Sequence, residues 1–128
     1  MRKQILLSLL PVIMLQAAHA DVRHESFPTE LQGVWAPNAE ACQSDNTRFT
    51  INEKTVQGPK ITCAVDYVVE RAVPNGTDYS GRGSCSNRSN PDDKSFMNLI
   101  IQLHNNGQAS IGMTLDSVAE YQHCTSGQ

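Results

Sequence analysis

The side chains best suited to chemistry are few and poorly grouped in this sequence. Beyond residue 20 the histidines are His24, His104 and His123, and none has the H-x-x-x-H or H-E-x-x-H spacing of a zinc site. Asp92 and Asp93 are adjacent, but two carboxylates supply fewer oxygens than calcium requires. No serine lies in a G-x-S-x-G elbow. The sequence therefore predicts no catalytic residue, no metal site and no cofactor, and a protein that is not an enzyme.

The first 20 residues have the pattern of a secretory signal peptide. A basic start, Met1–Gln4, precedes an apolar run from Ile5 to Leu15, and Ala18-His19-Ala20 carries small residues where a signal peptidase cleaves. The alternative is a membrane anchor, but the run is shorter than the roughly 20 apolar residues that a spanning helix needs. We therefore expect cleavage after Ala20 and an exported domain over residues 21–128, in the periplasm or secreted.

The charge of that domain excludes some classes of partner. Without Arg2 and Lys3 it carries 8 basic and 13 acidic residues, which is a net charge of −5. An acidic chain with scattered lysines and arginines is a poor binder of nucleic acid. It also has no basic amphipathic helix for a membrane surface. We expect no nucleic-acid partner and no membrane anchor, and the sequence leaves the oligomeric state open.

Four cysteines lie in the mature domain, at Cys42, Cys63, Cys85 and Cys124. An even number in a short exported chain favours disulfides over free thiols. Three pairings are open. The turn that joins the predicted strands at 60–71 and 77–85 contains Pro74. If this turn is centred on Pro74, Cys63 lies opposite Cys85, and if it is centred one residue later, the two cysteines are diagonal. We favour Cys63–Cys85, which leaves Cys42–Cys124.

The elements that must position these residues are β-strands. From Met97 to Leu115, apolar and polar residues alternate on both sides of Asn105-Asn106-Gly107, which predicts a hairpin with Leu103 opposite Ala109. The same register pairs Ile101 with Ile111, Leu99 with Met113 and Met97 with Leu115. Further strands are predicted at 31–36, 47–51, 55–57, 60–71, 77–85 and 118–124. The fold class is all-β, a small antiparallel barrel or sandwich of about seven to eight strands.

Two details of this prediction concern individual faces and loops. In the longest strand, Lys60–Arg71, the alternation places Ile61, Cys63, Val65, Tyr67 and Val69 on one face. The polar stretch Ser86–Lys94, with no apolar residue, is predicted to be a mobile loop.

Short motifs give a family resemblance. An exported chain that opens with Gly33 and Trp35 resembles the start of lipocalin-like barrels, in which the tryptophan plugs one end. The mature chain also resembles small four-cysteine exported proteobacterial β-barrel proteins, many of unknown function, and shares the architecture of periplasmic inhibitors. The matching segments are Gly33-Val34-Trp35, Gly58–Cys63, which is one residue longer than the Gly-x-x-x-Cys spacing, and Tyr121–Cys124.

These observations predict a non-enzymatic exported module that binds another protein in the envelope or outside the cell, as an inhibitor or an envelope accessory factor. Function concentrates on loops held by a rigid scaffold, so the candidate partner-binding residues are Asn75, Asp78, Arg88, Asp92 and Asp93. The alternative is a carrier of a small apolar ligand, with Trp35 beside the cavity.

Overall fold

The computed structural model describes Pro11 and residues 21–125, and the predicted signal peptide otherwise lies outside the described residues. Strands account for most of the described chain, with three short 3-10 turns at Thr29–Leu31, Glu40–Gln43 and Leu115–Ser117. In the described part, no helix is long and apolar enough to span a bilayer. The strands are β1 (Val22–His24), β2 (Gly33–Ala36), β3 (Phe49–Ile51), β4 (Thr55–Gln57), β5 (Ile61–Val73), β6 (Gly76–Asn87), β7 (Asn90–His104), β8 (Ala109–Gly112) and β9 (Ala119–Cys124).

Strands β2 to β9 form a closed antiparallel barrel in which each strand pairs with its neighbours in the chain. The ring closes where β9 returns to β2, with Val34 opposite Cys124 and Ala36 opposite Gln122. β1 lies outside the ring and pairs with β5 at Val68–Glu70. The predicted all-β class is confirmed, and the structure is a barrel rather than a sandwich.

The predicted hairpin around Gly107 is confirmed near its turn and ends earlier than expected. Leu103 pairs with Ala109 and Ile101 with Ile111, and Gly107 has a φ of 86° that glycine adopts without strain. β8 stops at Gly112, however, so the two outer predicted pairs do not form part of the ladder. The chain reverses there, since the backbone N–H groups of Met113 and Thr114 donate to the Ser117 hydroxyl.

A β-bulge in the long strand β5 changes which residues face the core. The register shifts between Val65 and Tyr67, so Asp66 is an extra residue on this strand. Cys63 and Val65 are buried as predicted, but beyond the bulge Val68 is the buried residue and Tyr67 is only half-buried. The prediction that Tyr67 and Val69 share a face with Cys63 and Val65 is therefore wrong, because a bulge reverses the faces of the residues that follow it.

Glycine permits a close approach of two backbones opposite this bulge. Gly83 pairs with Val65, and a Cβ atom built on Gly83 would lie 2.0 Å from the Ala64 carbonyl oxygen. Any larger residue would push the two strands apart. Gly83 is thus required by the tight pairing beside the bulge.

The predicted loop at Ser86–Lys94 is mostly strand. β6 continues to Asn87, a two-residue turn follows at Arg88–Ser89, and β7 begins at Asn90. The loop prediction is wrong because it rested on polar composition. These residues pair as a hairpin whose exposed position needs no apolar side chain.

Both predicted disulfides are confirmed. Cys63 lies directly opposite Cys85 in the β5–β6 ladder and is bonded to it, and Cys42 is bonded to Cys124. Within the described residues there is no free cysteine. Two disulfides indicate that the chain folds in an oxidising compartment.

The barrel interior is occupied by large apolar side chains. The segment after β1 contributes Phe27 and Leu31, and the Phe27 N–H donates to the Glu53 carbonyl at 2.8 Å, which holds the segment across one end of the barrel. Other fully buried side chains are Trp35, Ile51, Val56, Val68, Tyr79, Leu99, Ile101 and Ile111. This core gives the barrel walls a fixed shape.

The two disulfides are expected to differ in their contribution to stability. The Cys42–Cys124 bridge closes a sequence separation of 82 residues, and the Cys63–Cys85 bridge one of 22. By loop-closure entropy, the longer bridge should stabilise the fold by about 1 kcal/mol more. We therefore expect Cys42→Ala/Cys124→Ala to lower the melting temperature further than Cys63→Ala/Cys85→Ala, and full reduction to lower it by more than about 10 °C.

The measurement is a thermal melt followed by circular dichroism, with and without reductant. An unchanged melting temperature after reduction would show that the bridges do not stabilise the fold. A larger loss from the pair at residues 63 and 85 would show that packing around that bridge outweighs the entropy of loop closure.

Candidate functional site

The first predicted cluster of partner-binding residues lies at the β5–β6 turn. Asn75 is exposed in that turn, and its carbonyl accepts a hydrogen bond from the Asn105 N–H at 3.2 Å. Asp78 lies on β6 rather than in a loop, opposite Arg71. Arg71 in turn binds Asp21 through two hydrogen bonds of 3.1 and 3.2 Å, and its guanidinium holds the pKa of the Asp21 carboxyl below its usual value.

The second predicted cluster lies at the opposite end of the same hairpin. Arg88 is in the β6–β7 turn, and its N–H donates to the Lys60 carbonyl at 3.0 Å. Asp92 and Asp93 are exposed on β7, again not in a loop. Asp78 lies nine residues before the end of β6 at Asn87, so about 30 Å of strand separates the two clusters. The structure therefore does not bring the predicted residues into one site.

Between the two clusters, the outer wall of the barrel carries a group of side chains suited to contact. Pairing aligns Tyr67, Arg82 and Asn98 in one row across β5, β6 and β7. The next row carries Phe96 beside Ser84, and the Phe96 side chain is fully exposed. Among the described residues Phe96 is the most exposed large apolar side chain, and it lies beside Tyr67 and Arg82 on this wall.

Two further residues extend this group. The Arg23 guanidinium lies 3.9 Å from the centroid of the Tyr67 ring, a cation–π contact that orders both side chains. Asp66, the extra residue of the bulge, lines a surface depression of about 360 Å³ together with Tyr67, Arg82, Phe96 and Asn98. We define the outer-wall patch as Arg23, Asp66, Tyr67, Arg82, Phe96 and Asn98.

The composition of the outer-wall patch matches that of protein-binding surfaces. Tyrosine, phenylalanine and arginine are enriched at the centres of protein interfaces, where they account for much of the binding energy. A signal for Phe96 was present in the sequence, because this aromatic residue is out of phase with Met97 and Leu99 and so must face outward. The outward position of Tyr67 could not be predicted in this way, because the bulge changes the phase of the alternation after Asp66.

Trp35 is a core residue in this structure. Its ring is buried, its Nε1–H donates to the Leu31 carbonyl at 2.9 Å, and the His123 ring stacks on it with centroids 4.6 Å apart. Of the four surface depressions found on the β5–β7 side of the barrel, none has Trp35 in its lining. These contacts give the ligand-carrier alternative no support, and it stays a prediction.

A serine, a histidine and a glutamate meet on the β7–β8–β9 wall. The Ser110 hydroxyl lies 2.9 Å from His104 Nε2 and donates to Glu120 Oε1 at 2.5 Å. Glu120 Oε1 also lies 3.6 Å from the same His104 Nε2. In a catalytic triad the carboxylate holds the opposite ring nitrogen, so that the histidine can take the serine proton. Here Glu120 accepts a hydrogen bond from the Ser110 hydroxyl itself, and the cluster provides hydrogen-bond partners for this buried hydroxyl.

A second polar network closes one end of the barrel. Tyr79 is buried, and its hydroxyl donates to Glu30, while His24 Nε2 lies 3.2 Å from Glu70 Oε1 nearby. Burial, and secondarily the charge and hydrogen bond of Glu30, raise the pKa of the Tyr79 phenol. These contacts join β1 to β5 through His24 and Glu70, and the segment after β1 to β6 through Glu30 and Tyr79. Among the described residues, no group of three or more histidine, cysteine or acidic side chains is placed to hold a metal ion.

Comparison with known proteins does not assign the chain to a family. No protein-family model matches the chain, and neither the curated proteins nor the solved structures contain a significant match. The resemblance to four-cysteine exported barrels therefore stays a prediction.

The raised pKa of Tyr79 predicts a loss of stability in alkali. In the unfolded chain this phenol ionises near pH 10, whereas the folded chain keeps it neutral to higher pH. The contribution of the neutral Tyr79 phenol to the free energy of unfolding is thus complete below about pH 10 and is lost progressively as the pH rises above that value. We expect the melting temperature of the wild type to fall more steeply between about pH 9 and 11 than that of Tyr79→Phe.

The comparison uses thermal melts across that pH range. Burial also raises the pKa of Tyr121, so Tyr79→Phe should reduce the alkaline slope without abolishing it. At neutral pH the variant should lose about 1–3 kcal/mol of stability from the missing hydrogen bond to a carboxylate. Parallel slopes for the two proteins would show that the network does not hold Tyr79 neutral.

Proposed function

We propose that this chain is an exported, non-enzymatic module that binds another protein through the outer-wall patch. The observation that carries the proposal is the fully exposed Phe96 beside Arg82 and Tyr67 on a rigid wall. Removing a phenylalanine side chain from water is worth about 1.5–3 kcal/mol, which a partner surface would gain on binding. The patch is small, so we expect a hot-spot contact rather than a large obligate interface.

The proposed location is the periplasm or the extracellular space. Two features support it independently: the signal-peptide pattern of the first 20 residues and the two disulfides of the barrel. Either compartment keeps the disulfides oxidised during function.

The proposed role is that of an inhibitor or an envelope accessory factor. Both disulfides hold strands of the barrel, and Arg23 is already stacked on Tyr67, so the wall loses little conformational freedom when a partner binds. Such pre-organisation suits a protein that acts by occupying a surface of its partner. The target is a protein of the envelope or outside the cell.

The test is affinity capture with residues 21–128 as bait, carrying both disulfides, from the exported fraction of the source cells. Captured proteins are quantified by mass spectrometry for wild type, for Phe96→Ser/Arg82→Ser and for a control. We expect at least one protein to be retained by the wild type and reduced about tenfold or more by the double variant, because hot-spot residues contribute about 2 kcal/mol or more.

The matched control is Asn46→Ser/Glu53→Ser, which changes two exposed residues outside the outer-wall patch. This control should retain the same protein as the wild type does. If the patch variant and the control capture identical sets of proteins, the outer-wall patch is not the binding surface and the proposal fails.

A further inference from the structure

Strand β7 has an unpaired edge next to Phe96. On the side away from β6, β8 pairs with β7 from Ile100 to Leu103. Among residues 21–125, no strand pairs with this side of β7 between Lys94 and Asn98, and we call this segment the free edge. A free strand edge presents backbone donors and acceptors that another strand can use.

The ladder shows which residues present those groups. The His104 N–H donates to the Gln108 carbonyl at 2.8 Å, and the His104 carbonyl accepts from the Gly107 N–H at 3.0 Å, so both groups of His104 point away from β6. The pairing with β6 is regular from His104 to Lys94, and the direction alternates along a strand. The peptide groups of Lys94, Phe96 and Asn98 therefore point toward the free edge.

The surroundings of the free edge determine what can occupy it. On its C-terminal side the free edge ends at Ile100, where β7 pairs with β8. On its N-terminal side, the register of β7 with β6 is irregular between Lys94 and the turn at Arg88–Ser89. If two copies paired their β7 strands antiparallel about Phe96, the turn of each copy would run onto β8 of the other. An extended segment of a different chain has no such bulk and fits between these limits.

We propose that the partner adds an extended segment to β7, antiparallel to Lys94–Asn98, in the manner of β-strand addition. The proposal rests on the proposed function and specifies its binding mode. Residues directly opposite each other share a face, so the partner residue across from Phe96 lies beside its exposed ring and the one across from Lys94 lies beside its ammonium group.

The chemistry of the added segment follows from these neighbours. An apolar residue opposite Phe96 buries both side chains, and an acidic residue opposite Lys94 pairs with its charge. Because the segment is antiparallel, the apolar residue comes first and the acidic residue follows two positions later. The recognised pattern is therefore apolar-x-acidic within an extended stretch.

The experiment selects random peptides of about nine residues, displayed on phage, against the disulfide-bonded mature protein. The selected peptides are sequenced, synthesised with a fluorophore and titrated by fluorescence anisotropy. We expect the apolar-x-acidic pattern to be enriched. Binding should be reduced about tenfold or more by Phe96→Ser, since an aromatic anchor is lost.

The variant that isolates strand addition is Lys94→Pro, with Lys94→Ala as its matched control. Both remove the lysine charge, but only proline removes the N–H that points toward the free edge, and proline is tolerated on edge strands. We expect Lys94→Ala to raise the dissociation constant less than about fivefold relative to wild type. The dissociation constant of Lys94→Pro should be about tenfold higher than that of Lys94→Ala. Should Lys94→Pro melt well below wild type, Asn98→Pro against Asn98→Ala makes the same comparison.

Equal affinities of the proline and alanine variants would overturn strand addition. If Phe96→Ser still abolished that binding, the outer-wall patch would act through side chains alone and the proposed function would stand. A selection without the apolar-x-acidic pattern also overturns the inference. The proposed function fails separately, when the patch variant captures the same proteins as its control.

Discussion

Closure of the ring between β2 and β9 is the interaction on which the rest of the barrel depends. An open sheet of eight strands has two edges, and each exposes backbone groups unless the edges meet. Here the last three residues of β9 pair with Val34–Ala36. The disulfide from Cys42 to Cys124 and the stacking of His123 on Trp35 hold the same junction. Backbone pairing, a disulfide and a ring stack therefore all hold this junction, and the walls of the barrel keep their shape.

Burial of one face of each strand explains which parts of the fold could be predicted from the sequence. Strands that are buried on one face show alternation, and the alternation around the Asn105-Asn106-Gly107 turn was enough to place Leu103 opposite Ala109. The turn at Pro74 and Asn75 alone would leave Cys63 one residue out of register with Cys85, and the bulge at Asp66 brings the two cysteines opposite each other. The bulge could not be seen in this way. Val65, Tyr67, Val68 and Val69 are all apolar or aromatic, so the residues after Asp66 satisfy either phase of the alternation. Only the pairing with Gly83 and Arg82 determines which phase forms.

The candidate site was predicted less well, for a related reason. Polar composition indicated a loop at Ser86–Lys94, yet a strand exposed on both faces needs no apolar residue, and the hairpin simply continues. The predicted partner-binding residues therefore lie toward the two ends of this hairpin, around Asn75 and Arg88. The wall between them carries its functional candidates on strands. Phe96 could have been recognised from the alternation alone, whereas the contact of Arg23 with Tyr67 depends on β1 pairing beside the bulge.

The charge distribution bears on how an exposed edge can be tolerated. Residues 21–128 are acidic overall, but the outer-wall patch has two arginines against Asp66, and Lys94 lies at the start of the free edge. Pro91, Asp92 and Asp93 precede that edge, and proline and charged residues are the features by which natural strands avoid indiscriminate pairing. Together with β8 they leave a short accessible segment beside one aromatic side chain. A segment of this length offers too few backbone hydrogen bonds to bind any extended chain tightly, so recognition must depend on the side chains opposite Phe96 and Lys94.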